Sequence, residues 1–179
     1  MIKRVMIFGG AGSGKSTLAR SLGKIIGLPV VHIDTIYWLP NWTMRPREEI
    51  GRLTTEIANR DEWIFEGNHS ETMAYRAERA DMLIFLDIST PRRLWRILTR
   101  TFRYFGKSRP DMAEGCKERF DWAFLKFAAN YRTNGRFRAL AFMEKAPSHL
   151  LKHHLRSPAE VKQFLAKTKY EIIQNNSKT

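Results

Sequence analysis

A single lysine, Lys15, follows four closely spaced glycines and precedes two hydroxyls in the stretch VMIFGGAGSGKST, residues 5 to 17. Gly9, Gly10, Gly12 and Gly14 give up side-chain contacts and carry an entropic cost that a close-packed strand has no reason to accept. Their spacing fits G-x-x-x-x-G-K-[ST], with Gly9, Gly14, Lys15 and Ser16 at the fixed positions, after an apolar run and before a helical period. A loop of this kind turns the backbone N–H groups around Gly10, Ala11, Gly12, Ser13 and Gly14 toward a phosphate chain, and the helix start at Ser16 and Thr17 adds partial positive charge. Lys15 reaches the terminal phosphates and Ser16 can ligate magnesium, so ATP and Mg2+ are the expected cofactors.

Three carboxylates stand at the ends of later apolar runs. Asp34 follows Val30 to Ile33, Glu66 follows Trp63 to Phe65, and Asp87 follows Met82 to Leu86. Ligands of a parallel sheet gather at the carboxyl ends of its strands, which would bring all three toward the phosphate loop. Asp34 reads as a group that binds or deprotonates a phosphate acceptor, or as a helix or turn cap. Glu66 and Asp87 are both candidates to hold magnesium-bound water, and spacing does not choose between them. His32 is expected as a core or rim histidine.

Beyond Asp87, Arg93, Arg96, Arg100 and Arg103 share one helical face while Leu94, Leu98 and Phe102 lie on another, and no acid occurs between Ile88 and Pro110. A solvated face usually mixes its charges, so this stripe is suited to anions. Guanidinium groups pair bidentately with phosphate and keep their charge. Arg132, Arg136 and Arg138 either extend the anion site or belong to a solvated loop.

The elements that must position these residues alternate along the chain. Strands are expected near 5–8, 30–33, 63–65, 82–86 and 150–155. Helices are expected where Leu18, Leu22, Ile25 and Ile26 share one face and Gly27 with Pro29 ends the run, after Pro46, from a Thr90–Pro91 cap, and after a Ser157–Glu160 capping box. That order predicts an α/β fold, a three-layer sandwich with a five-stranded parallel sheet between helices. Residues 104–136, with Gly106, Pro110, Gly115 and Gly135 among scattered aromatics, read as a lid or flap insertion; residues 174–179 read as a frayed tail. The 179 residues suit one domain spanning 1–179, and 43% apolar with 27% charged residues is ordinary for a globular chain. The formal net charge of +13 favours anionic partners, whether nucleotides, nucleic acid or an acidic surface. Cys116 is the lone cysteine, so no internal disulfide forms, and a cytoplasmic setting is expected. No stretch approaches the roughly 20 apolar residues of a membrane span.

With these residues in place the chain resembles the nucleoside monophosphate kinases and their shikimate-kinase-like relatives. It is most similar to the bacterial DNA topology modulation proteins, described as adenylate kinase-related, from Met1 to about Ala166. The stretches VMIFGGAGSGKSTLA, VVHIDTIYWLPNW, GNHS, SRPDMAEGCKERFDW and LRSPAEVKQFL carry the likeness. The resemblance implies that Arg96 and Arg100 hold the ATP base and phosphates. It also implies that Arg109 and Arg119 are lid arginines closing over the transferring phosphate, with Asp111 orienting one of them, and that Ser157 and Pro158 flank the adenine. Two departures stand out. Glu66 occupies the place of a more usual aspartate, and no AMP-pocket signature is recognisable between Asp34 and Asp61. Tyr37, Trp38, Trp42, Arg45, Arg47 and Arg52 fill that region instead, making 35–62 the candidate acceptor-binding region. Its tryptophans either stack on a base or pack in the core.

The expected activity is an ATP- and magnesium-dependent phosphotransfer to a small acceptor, nucleotides among the candidates, with Lys15, Asp34, Arg96, Arg100, Arg109 and Arg119 as the catalytic set. The alternatives are a nucleic-acid-binding protein that affects DNA topology and an ATPase that needs no acceptor.

Overall fold

Five apolar runs become the five strands of one parallel sheet in the computed structural model, which describes residues 2–176. They are β1 (Arg4–Gly9), β2 (Val30–His32), β5 (Trp63–Glu66), β6 (Met82–Leu86) and β7 (Leu151–Leu155), in the order β2-β5-β1-β6-β7. Each adjacent pair runs parallel, with Ile7 opposite Glu66 on one side and Ile84 on the other. A parallel sheet is covered on both faces, which is why β1, β5 and β6 read as continuous apolar runs without polar alternation.

Alternate residues of these strands feed two cores. Met6, Phe8, Phe65, Leu83 and Phe85 meet Ile36 of α2 (Ile33–Tyr37), Ile50 of α3 (Arg47–Ala58), Ala77 of α4 (Ser70–Arg79) and Ala139 of α7 (Gly135–Lys145). Val5, Ile7, Ile64, Ile84 and Leu86 meet Leu18, Ala19 and Leu22 of α1 (Lys15–Ile26) on the opposite face. Val161, Phe164 and Leu165 of α8 (Pro158–Asn176) complete that layer. The result is the three-layer α/β sandwich that the alternation of elements predicts.

The capping box forms: the Glu160 N–H donates to Ser157 Oγ at 3.2 Å, and the Glu160 carboxylate accepts from the Arg156 N–H at 2.9 Å. α8 continues through Asn176, so residues 174–176 are helical where a frayed tail is expected, and residues 177–179 lie outside the described residues. α5 (Thr90–Tyr104) has Ser89 at its N-cap position, one residue earlier than expected and without a side-chain cap hydrogen bond, and Thr90 is already helical.

Several elements have no counterpart in the sequence expectations, among them α2, which takes up Ile33 from the end of an expected strand. The helix α4 is another. A two-stranded hairpin, β3 (Trp38–Leu39) and β4 (Thr43–Met44), follows α2. Within 104–136, residues 105–118 close on themselves through bridges Phe105 to Glu118 and Ser108 to Lys117, followed by the helix α6 (Trp122–Ala129). Finally α7 packs on the sheet. Among the described residues no helix is long and apolar enough to cross a membrane.

Candidate functional site

The glycine loop joins the end of β1 to the start of α1. The Ser13 N–H donates to the Gly10 carbonyl at 3.1 Å, and Lys15 Nζ donates to the same carbonyl at 3.3 Å, closing the loop into a ring. Gly12 lies at φ +75, and a Cβ there would collide with the Arg93 carbonyl, so the glycine is required both by conformation and by space. Gly14, at φ +97, precedes α1 with no side-chain cap, and the first turn of the helix carries no acid. The N–H groups of that turn are therefore left for an anion. Ser13 Oγ is buried without a hydrogen-bond partner in the same loop.

A cavity of about 1030 Å³ opens over this loop. Ala11, Gly12, Ser13, Gly14, Lys15, Ser16 and Thr17 form its floor. Asp34, Glu66, Arg96, Arg100, Arg109, Arg119 and Pro158 also line it, so most of the residues singled out by the sequence meet at one place. Gly9, Gly10 and Ser157 do not line it. They act on its frame, Gly9 by exchanging hydrogen bonds with Asn68: its N–H donates to Asn68 Oδ1 at 3.2 Å and its carbonyl accepts from Nδ2 at 2.8 Å.

Asp87 is also absent from the cavity, which corrects its reading as a metal carboxylate. Its oxygens accept from Arg136 Nε at 2.9 and 3.0 Å and sit 3.0 Å from His154 Nε2, on the side of α7 and β7. Burial alone would raise its pKa, but the Arg136 and His154 hydrogen bonds hold it below 3.8. Glu66 is the strand-end carboxylate that faces the phosphate loop, and His32 Nδ1 lies 2.6 Å from its Oε1. His32 is thus a partner of the site and not a bystander.

Asp34 sits in the first turn of α2, just past the end of β2. Asp34 is exposed at the cavity, and desolvation there, reinforced by the charge of Glu66, shifts its pKa up from 3.8 against the pull of Lys15 and Arg109. A basic carboxylate within reach of the phosphate loop can receive a proton.

The arginine stripe divides by role. Arg93, 1% exposed, turns inward and donates to the carbonyls of Ala11 (3.1 Å), Ile88 (3.1 Å) and Ala128 (3.0 Å), while its guanidinium lies 4.7 Å from the Tyr131 ring. It builds the loop's support and does not face the cavity, contrary to the reading of the whole stripe as anion-facing. Arg96 donates to the Ser13 carbonyl at 2.8 Å from the cavity wall. Arg100 donates to Glu118 Oε1 at 3.2 Å, and Arg103 reaches the cavity mouth.

Glu118, 5% exposed, gathers the neck of the 105–121 segment, accepting also from Thr101 Oγ1 at 3.0 Å. Arg109 Nε stands 2.7 Å from Glu118 Oε2 as an ion-pair contact without hydrogen-bond alignment, and Arg109 Nη1 donates to Asp111 at 3.1 Å. Burial would raise the Asp111 pKa, but Arg109 and the nearby Ser16 hydroxyl hold it below 3.8. Arg20 of α1 approaches Asp111 to 4.0 Å. Asp111 therefore does orient a basic residue of this segment, and it brings the segment down to the phosphate loop. Arg20 and Asn68 were not singled out for roles: one is a lone arginine on an ordinary amphipathic helix, and only the fold brings the other beside Gly9.

A five-stranded parallel sheet with a glycine-lysine phosphate loop between its central strand and α1 is the fold of the P-loop kinases. Solved structures of that class superimpose over nearly the whole chain. Shikimate kinase from Acinetobacter baumannii, in complex with shikimate, aligns with TM-score 0.54 at 16% identity over 98% of this chain and 95% of that one. Shikimate kinase from Bacteroides thetaiotaomicron aligns with TM-score 0.56 at 12% identity over 96% and 99%. A sugar kinase from Janibacter sp. aligns with TM-score 0.51 at 13% identity over 97% and 94%. At these identities the likeness is one of fold. No protein-family model matches the sequence, and no curated protein matches it.

Proposed function

We propose that the chain is an ATP- and magnesium-dependent phosphotransferase acting on a small hydroxylated acceptor. The observation that carries this reading is the convergence of Lys15, Asp34 and Arg109 on one cavity above an uncapped helix N-terminus. The residues fit a triphosphate. The glycine cradle, the unpartnered Ser13 Oγ and the free N–H groups of α1 are all donors or space awaiting an anion. Magnesium takes one or two protein oxygens beside phosphate and water. Ser16 and Glu66 would supply those oxygens, and the ion would neutralise charge on the phosphates.

The roles of the side chains follow from placement. Lys15, Arg96 and Arg100 hold the donor phosphates, and Arg109 and Arg119 come from the 104–136 segment acting as a lid. Asp34 takes the acceptor hydroxyl's proton as its oxygen bonds the terminal phosphorus and the bridging P–O bond breaks, releasing ADP. Pro158, which lines the cavity, flanks the adenine as the adenylate kinase resemblance implies, and Ser157 caps the helix behind it. The acceptor lies against residues 35–62, where Trp38 and Trp42 line the cavity. Two indole walls beside Asp34 favour a neutral ring compound bearing a hydroxyl, a sugar or nucleoside in kind. Cytoplasmic metabolism is the setting this chemistry fits. ADP release from Mg-ATP across nucleosides, nucleoside monophosphates, sugars and other hydroxylated metabolites tests the reading, with Lys15→Ala as control. Stimulation by one acceptor class, lost in the variant, supports it; ADP release indifferent to Lys15 overturns it.

The outer face of α5 supports a second reading, nucleic-acid binding, in line with the DNA topology resemblance. Trp95 (68% exposed) and Phe102 (83% exposed) stand there with Arg92 and Arg103 exposed beside them. Aromatic rings among arginines suit stacked bases and phosphates. A mobility-shift titration with steep salt dependence would support this reading, and no retardation at physiological salt would remove it.

A further inference from the structure

The hairpin β3–β4, on the acceptor side, and the 105–121 segment, on the donor side, hold one another directly. Trp42 Nε1 donates to the Lys117 carbonyl at 2.8 Å, 75 residues away in sequence. Beside it, Cys116 Sγ donates to the Leu39 carbonyl at 3.3 Å. Gly115 lies so near that a Cβ on it would stand 3.2 Å from Pro40 Cβ. The hairpin is under strain at this point: Asn41 and Trp42 both take left-handed conformations, φ 61 and φ 60, and a tryptophan adopts that region only when its surroundings impose it. The indole held this way lines the cavity and packs edge-on against Trp38 at 5.5 Å between centroids. One ring thus lines the acceptor space and holds the arginine-bearing segment with its N–H.

We propose that Trp42 is a positioning residue that makes closure of the lid over the donor phosphates depend on an acceptor seated against the hairpin. The inference rests on the phosphotransferase reading above. An acceptor that packs on Trp38 and Trp42 fixes the indole where it meets Lys117. Arg109 and Asp111, eight and six residues before Lys117, are carried with that carbonyl toward Ser16. Without an acceptor the latch is a single hydrogen bond and a thiol contact, so the donor phosphates are less often enclosed and water attack is limited.

Hydrogen–deuterium exchange on the full chain tests the latch without reference to turnover. Trp42→Phe keeps a ring but loses the N–H. Exchange across residues 106–119, where Gly106 and Glu118 donate to the carbonyls of Glu118 and Lys107, should rise about fivefold, the equivalent of one ordinary hydrogen bond. The sheet should stay protected, and Trp38→Phe, which keeps the Lys117 bond, should leave 106–119 unchanged. Unaltered exchange in Trp42→Phe overturns the latch. With the acceptor identified, Trp42→Phe should lower kcat and leave the KM for ATP alone; an unchanged kcat overturns the coupling. Failure of the unsubstituted chain to transfer phosphate to any acceptor overturns the phosphotransferase reading and the coupling with it, while the exchange comparison still judges the latch alone.

Discussion

Arg93 on α5 donates to the carbonyl of Ala11 in the phosphate loop at 3.1 Å, joining residues 82 apart in sequence. The same guanidinium serves Ile88, Thr90 and Ala128, so one side chain fixes the loop to the carboxyl end of β6 and to α6. Arg93→Ala would take this guanidinium from the carbonyls of Ala11, Ile88 and Ala128, of which Ala128 still accepts from the Asn130 N–H. It should cost roughly 3 kcal/mol of stability and weaken ATP binding by loosening the loop. Urea denaturation and nucleotide titration check both effects. Arg93→Lys should not restore stability, because an ammonium cannot reproduce the planar fork that reaches all these acceptors.

Asp34→Asn keeps the shape of the acceptor site and removes its proton acceptor. The turnover number for phosphotransfer should fall about 10²- to 10⁴-fold. The KM for ATP should hardly move, since the donor phosphates rest on Lys15 and the loop. Steady-state kinetics in both substrates separate this from a binding defect.

The Asp87 ion pair makes a prediction about acid stability. Its folded pKa lies below 3.8, the ordinary value. The unfolded chain therefore binds the proton more readily, and the pair's contribution is whole above 3.8 and lost as pH falls through the folded pKa. Asp111, also held low, titrates in the same direction. Urea midpoints followed from neutral pH down through this window should drop less steeply in Asp87→Asn than in the unsubstituted chain, and its phosphate-loop chemistry should persist, because Asp87 does not reach the cavity.

Much of this architecture is legible in the residues themselves. Unbroken apolar runs such as Met6–Phe8 and Leu83–Leu86 announce strands buried on both faces, and the glycine spacing announces the phosphate loop. α4 escapes such reading because its buried face carries Thr72 and Arg76 with a single alanine, so no apolar period marks it. The β3–β4 hairpin escapes for a different reason: its strands are two residues long, and its left-handed positions fall on Asn41 and Trp42 where glycine would have been the signal. The arginine stripe is correct as spacing and incomplete as chemistry. Whether an arginine faces ligand or protein depends on carbonyls such as Ala128 and on Glu118, which only the folded chain brings near.

A phosphotransferase moves the terminal phosphate of ATP to a hydroxyl and not to water. Phosphorus NMR of the chain turning over Mg-ATP with its stimulating acceptor reads this directly. A new phosphomonoester resonance should grow in step with ADP, absent with Lys15→Ala and strongly slowed with Asp34→Asn. Inorganic phosphate as the sole partner of ADP, at a rate no acceptor alters, would contradict it.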